Sequence, residues 1–318
     1  MQSRNLNLDI LKLFLSFFVV VAHLMPYSYE NEFQNNIAYL SHAVARVTVP
    51  LFLLISGYFL RNKLNDFEKV KKLIFRIAKL FLVWQIIYLP IILIFFNNGL
   101  ITPNIFFRDL IYGFGHIWYL NAFFLGCILV YLTRNFKNLN KFILAVLLLL
   151  SGYLIQITIE LKLINNVNYI NFHNIIGTSR NFLFFAFPYL LLGTLLDEIK
   201  ILNLKTGILI SGVLLIIETY IYKYFQIPIS NIYLASFPLS IYILKAILKS
   251  ESRIKIKINF NLAFGIYLIH FYPLFYISKS YPSTSIDMVF IKILAVYSAS
   301  IFIFYILNKL DTKLKILF

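Results

Sequence analysis

Three ionisable side chains share one face of a segment that is otherwise apolar. In LNLDILKLFLSFFVVVAH, Asp9, Lys12 and His23 interrupt a run of Leu, Ile, Phe and Val. At 100° per residue, the eleven steps from Lys12 to His23 come within about 20° of three full turns and rise roughly 16 Å, with Asp9 about 40° to the other side. As a helix, this segment carries an acid, a base and an imidazole along a single stripe. An imidazole titrates near neutral pH, so His23 suits proton abstraction from a hydroxyl or nucleophilic attack without a metal. Plainer roles fit the same residues. His23 also suits a hydrogen-bonded structural position, and Asp9 and Lys12 are an i, i+3 pair able to snorkel at a membrane edge.

The elements that must position these groups are membrane helices. The 318 residues are 60% hydrophobic and 13% charged, too apolar for the core of one soluble domain. About ten segments have the roughly 20 apolar residues that a bilayer span needs: 8–28, 40–60, 73–96, 116–133, 142–159, 181–197, 206–222, 229–248, 259–277 and 288–308. The fold class read from this pattern is all-α integral membrane, a single bundle over 1–318. The first span is too long in its apolar part for a signal peptide and lacks a small-residue cleavage site after Met25-Pro26.

The net charge of +16 does not point to nucleic acid, because Lys and Arg fall in short clusters between apolar runs. Segments after even-numbered spans are basic, beginning with Arg61, Lys63, Lys69, Lys71, Lys72 and Arg76, while those after odd-numbered spans carry little charge. By the positive-inside rule both termini are cytoplasmic. The Asn-rich stretch from about Glu160 to Arg180 is the longest outer segment and a place for a short interfacial helix. Cys127, the one cysteine, lies in an apolar run and reads as a buried thiol. No His, Cys or carboxylate set has metal-ligand spacing, and neither a glycine-rich phosphate loop nor a serine nucleophile elbow occurs. Because charge inside lipid is costly, His23 is expected to face the bundle interior. His270, at the end of the ninth span, is expected to face water at the interface, and His42 and His173 carry no specific expectation.

Five segments together resemble the membrane acyltransferase-3 family. They are LDILK followed by ten residues and His23, RVTVPLFLLISGYF at 46–59, GHIWYL at 115–120, FPYLLLG at 187–193 and FGIYLIH at 264–270, in the order that the family has them. Lys12 stands where the family usually has Arg, and an ammonium cannot make a guanidinium's bidentate contacts. The resemblance implies an acyl-CoA-dependent O-acyltransferase, commonly of acetyl groups, acting on a sugar of a surface polysaccharide or its lipid-linked precursor. It also implies a bacterial inner membrane, with His23 the reacting residue and Lys12 its helper. The family's basic pattern at the start of the third span is met loosely by Lys71, Lys72, Arg76-Ile77 and Lys79. No appended hydrolase-like domain is expected.

That chemistry assigns further roles. Acetyl-CoA, a donor substrate and not a resident cofactor, carries phosphates that Lys71, Lys72, Arg76 and Lys79 at the cytoplasmic mouth suit, with Arg76 and Lys79 read as lying inside the third span. The positive-inside rule explains the same cluster without a ligand. Ser56, Tyr58, Trp118 and Tyr119 are candidate donors to an oxyanion. Arg46, at the outer end of the second span, suits substrate binding or pairing with outer carboxylates. His116 belongs to the middle signature, where an aromatic belt accounts equally for Trp118. A carrier of a lipid-linked sugar is the rival reading, since it too would be a many-helix bundle with intramembrane charge.

Overall fold

The computed structural model describes residues 5–164, 166–177, 181–227, 232–250, 259, 261–281, 285–314 and 316–318. Among these residues the regular structure is helical, with no strand. The helices are α1 (Leu6–Leu24), α2 (Glu32–Ala45), α3 (Thr48–Leu60), α4 (Phe67–Asn97), α5 (Pro103–Tyr112), α6 (Trp118–Leu132) and α7 (Asn138–Glu160). They continue with α8 (Val167–Ile176), α9 (Phe187–Thr194), α10 (Leu204–Tyr224), α11 (Ser236–Lys249), α12 (Leu262–Ile269), α13 (Phe271–Ser280) and α14 (Ile286–Leu314). The short helix expected in the Asn-rich outer segment is α8.

Six stretches are long and apolar enough to cross a membrane: Leu6–Leu24, Glu32–Lys63, Phe67–Asn97, Asn138–Glu160, Leu204–Tyr224 and Ile286–Asp311. The other four expected spans overlap shorter helices, so helix length alone does not give ten. The reasons are local. α6 rises only about 22 Å. A π-helical turn, Phe182–Ala186, precedes α9. α12 and α13 break at His270, because Pro273 has no N–H for the carbonyl of Ile269 one turn back. Rows of exposed Phe, Leu and Ile, among them Phe14, Leu82, Ile86, Leu147, Leu154 and Phe302, face outward along the long helices as lipid-facing side chains do.

The chain forms two compact units. The first comprises Met1–Phe52, Ile201–Ile229 and Tyr233–Phe318, and so holds α1, α2, α10 to α14 and the start of α3. Its core joins Val20, Val21 and Met25 to Ala38, Val289, Ile293 and Val296. α1 begins where Asn5 accepts the N–H of Leu8 at 3.1 Å and ends at Met25, whose extended backbone is what a following proline requires. The exit is fastened by His42. Its Nε2 donates to the carbonyls of Met25 at 3.0 Å and Pro26 at 3.3 Å, and its ring stacks on Tyr27. Glu218 serves α11 similarly, accepting the N–H groups of Leu234 at 2.8 Å and Ala235 at 2.9 Å, which the turn into that helix would otherwise strand.

The second unit comprises Leu53–Lys200 and Ser230–Ile232. In it α3 and α9 cross with their backbones in close approach. A Cβ at Gly57 would lie 2.1 Å from the carbonyl oxygen of Leu190, and one at Gly193 would lie 2.4 Å from that of Leu54. The absence of side chains lets two backbones touch, which is how helices gain packing energy where lipid supplies no hydrophobic drive. Gly152 of α7 meets the π-helical turn in the same way, since a Cβ there would lie 2.8 Å from the Cβ of Phe184. Gln156 then ties α7 to Ile232, accepting its N–H and donating to its carbonyl, both at 3.0 Å.

The glycine crossing generates a stability prediction. Gly57→Ala places a methyl group against a backbone carbonyl that no rotamer can move, so it should cost about 3 kcal/mol or more. Melting of the detergent-solubilised protein measures it, and an unchanged midpoint would mean that α3 and α9 do not approach this closely.

Candidate functional site

The α1 stripe folds as its spacing requires. Asp9, Ser16 and Val19 are buried, whereas Ile10 and Phe14, on the opposite side of the helix, are exposed. By the same angular count His23 lies on that side of α1, but as a residue it is exposed near the end of the helix and not enclosed in an interior as expected. Lys12 pairs with Asp9 at 3.7 Å. Between Lys12 and His23 the stripe carries a group that sequence reading missed: the hydroxyl of Ser16, fully buried, bonded to the carbonyl of Leu13 at 2.7 Å and 3.4 Å from the hydroxyl of Tyr297. Tyr297 of α14 also donates to Leu13 at 3.2 Å. Ser16 lies within about 20° of His23 around the helix, so the same angular count would have found it.

The principal correction concerns His270. Expected at a wet interface, it is fully buried, and its ring lies 5.3 Å from that of His23 between centroids. Its Nδ1 is 2.7 Å from the carbonyl of Tyr267. A carbonyl only accepts, so Nδ1 carries the proton and the ring is held from one side. Phe271 sets its ring edge-on to His23, with centroids 6.2 Å apart. The signal for this arrangement is Pro273, which interrupts the helix at the residue that meets His23. Arg46, also in the first unit, is the half-buried C-cap of α2 and acts electrostatically on His42. The side chain of His173 lies outside the described residues.

The remaining candidates belong to the second unit. α4 starts at Phe67 and is about 46 Å long, against about 30 Å of hydrocarbon, so its first three turns can extend beyond the membrane. Arg76 and Lys79 lie in the third and fourth turns of this helix. Lys69 is held by Asp66 at 2.8 Å, whose carboxyl that bond keeps below the usual carboxylate range, and Lys71 is 3.8 Å from Glu68. Lys72, Arg76 and Lys79 are exposed and, among the described residues, have no carboxylate partner. They fall within about 60° of arc over roughly 10 Å, leaving three positive charges on one face for an anion.

Ser56, Tyr58, Tyr119, His116 and Trp118 are not gathered into one donor set. Tyr119 is hydrogen-bonded to Ser56 in a buried contact. Tyr58 lies under the guanidinium of Arg61, 5.6 Å from its ring centroid, and Arg61 pairs with Asp197 at 2.7 Å. His116 is buried edge-on to Tyr88, with centroids 5.1 Å apart. Trp118 opens α6 and meets Phe185 edge-on. Cys127 is buried, as read. Among the described residues no group of three His, Cys, Asp or Glu side chains is arranged to hold a metal ion.

Comparison with known proteins adds a family to this geometry. Two proteins of Enterococcus faecalis named amino-acid racemase are similar to the chain. One is 26% identical over 294 residues, which is 85% of this chain and 41% of that protein. The other is 27% identical over 209 residues, 60% of this chain and 28% of that protein. The chain thus spans less than half the length of the curated relatives it matches, and no solved structure matches it. The acyltransferase domain of the acyltransferase-3 type matches residues 5–309, nearly the whole chain and all five signature segments. With that coverage, this membrane protein belongs to the acyltransferase-3 family.

Proposed function

We propose that the protein moves an acyl group, acetyl foremost, from acyl-CoA to a hydroxyl of a cell-surface glycan or its lipid-linked precursor, with His23 as the reacting side chain. The observation that carries this reading is the meeting of His23 with the buried His270 on the polar face of α1. As a base, His23 takes the proton of the acceptor hydroxyl while its oxygen attacks the thioester carbonyl. A C–O bond forms, the C–S bond breaks, and the coenzyme A thiolate recovers the proton from the imidazolium. As a nucleophile, the same imidazole would hold the acyl group between the two half-reactions. His270, anchored at Tyr267, is a positioning residue that fixes the plane against which the His23 ring rests.

The donor would be held at the cytoplasmic end of α4. Lys72, Arg76 and Lys79 supply uncompensated charge for a pyrophosphate and a ribose phosphate, and the exposed Arg76 presents a planar fork suited to phosphate oxygens. On the orientation read from loop charge, both termini lie on that side, in a bacterial inner membrane. The racemase name of the relatives describes chains most of whose length lies outside the match.

Three variants test this reading. His23→Gln keeps hydrogen bonding but not proton transfer, so transferase activity at matched folding should fall by about 10²- to 10⁴-fold. His270→Gln should lower kcat and alter the pH–rate profile while leaving donor KM close to that of the wild type. Near wild-type activity of His23→Gln would make His23 a packing residue. Arg76→Ala should raise the apparent KM for acyl-CoA about tenfold and weaken its salt dependence, with acceptor dependence unchanged. An unaltered donor KM would return Arg76 to a purely topological role.

A further inference from the structure

The second unit contains a polar cavity that belongs neither to the α1 stripe nor to the α4 cations. It encloses about 170 Å³ between α5, the turn ahead of α6 and the π-helical turn, and Arg108, Asp109, Trp118, Asn121 and Asn181 contribute its polar and aromatic wall. The wall is firmly built. Gln85 donates to the carbonyl of Asp109 at 2.6 Å and accepts the N–H of Phe114 at 3.3 Å, spanning the connection out of α5. That connection turns at Gly113, whose φ of 108° excludes other residues and where a Cβ would lie 2.6 Å from the nitrogen of Trp118. Asn121 donates to the carbonyl of Ile111 at 2.8 Å, and Asn181 accepts the N–H groups of Leu183 at 3.0 Å and Phe184 at 2.8 Å.

Those bonds occupy one end of each side chain. Asn121 is 6% exposed, and its Oδ1 is shut off from solvent with no partner. Asn181, equally buried, makes its described bonds through Oδ1, which leaves its amide nitrogen to donate. Asp109, 5% exposed, takes both Arg108 donors on Oδ1, at 2.9 and 2.6 Å, and leaves Oδ2 without a partner among the described residues. Buried polar groups left unmade are costly, so unspent acceptors and a donor around one space imply something that fills it. The Arg108–Asp109 pair is neutral in sum, which disfavours a charged ligand. Hydroxyl groups both donate and accept, and the face of Trp118 offers an apolar platform beside them. The volume, below the 300 to 1,000 Å³ or so of drug-sized sites, suits a single ring.

We propose that this cavity binds one sugar ring through Asp109, Asn121 and Asn181 with Trp118 alongside. Its role as the place of the acceptor glycan rests on the function proposed above, whereas the binding itself does not. The test uses the purified full chain in detergent, without acyl donor. Trp84, 2% exposed, is a core residue, so Trp118 is the tryptophan whose fluorescence reports the cavity. Glucose, galactose and N-acetylglucosamine are titrated, with L-serine and glycerol as controls. At least one sugar should give a saturable change, and Asp109→Asn and Asn121→Leu, both close in shape to the native side chains, should each weaken it about tenfold or more. The wild type's melting temperature should rise with the same sugar and not with serine or glycerol, a readout that needs no variant. A cavity filled only with water would give no saturable response to any sugar. That outcome, a response undiminished in both variants, or a response to serine alone overturns the proposal. Failure here leaves transfer at His23 standing, and near wild-type transfer in His23→Gln with sugar binding intact overturns His23 chemistry and leaves the cavity standing.

Discussion

An ionisable group on a helix that crosses lipid has to be given company, and that constraint fixes the rotation of α1. Phe14 and Ile10 are exposed on one side, so Asp9, Lys12, Ser16 and His23 face the other elements of the first unit. What packs there follows from this choice. α14 brings the Tyr297 hydroxyl to Leu13 and Ser16, and the break between α12 and α13 brings the His270 ring to His23. His42 closes the arrangement from α2 by bonding the two carbonyls immediately beyond the helix. A buried histidine that holds the exit of α1 two residues past His23 limits how far that ring can wander.

The second unit is held by a different device. Where lipid surrounds the helices, burying apolar surface distinguishes little between packed and unpacked states, and close backbone approach becomes the available gain. Gly57 and Gly193 provide it at one crossing and Gly152 at another. This gives a physical reason for two of the signature segments. SGY in α3 and LLLG in α9 are legible as a family resemblance, yet their glycines serve helix contact, and Ser56 and Tyr58 flank that packing point. Tyr119, hydrogen-bonded to Ser56, joins the same packing layer.

Much of this was legible in the residues. Hydropathy located every long helix, and the angular count put Asp9, Lys12 and His23 on one face because helical periodicity survives any tertiary context. Segment ends were less legible. Loop charge marked Lys71 to Lys79 as a boundary, but only the structure shows that α4 begins at Phe67, ahead of the apolar run. His270 was misplaced because an apolar run followed by a histidine resembles a span reaching water, while the break at Pro273 lets the chain keep the ring inside. The cavity of Asp109, Asn121 and Asn181 was invisible for a more basic reason. Its members lie on separate elements, and no spacing rule relates a capping asparagine ahead of a π-helical turn to an asparagine one turn into α6.

The central claim is that this membrane bundle performs chemistry and is not a conduit. It is tested most directly by following both products of one turnover with purified wild-type protein reconstituted in vesicles, supplied with acetyl-CoA and a glycan acceptor. Free thiol and acylated sugar are measured together. The account predicts one thiol released for each ester formed, with no release beyond one equivalent per protein when the acceptor is withheld. Passage of the sugar across the vesicle membrane with no thiol released and no ester formed would contradict it.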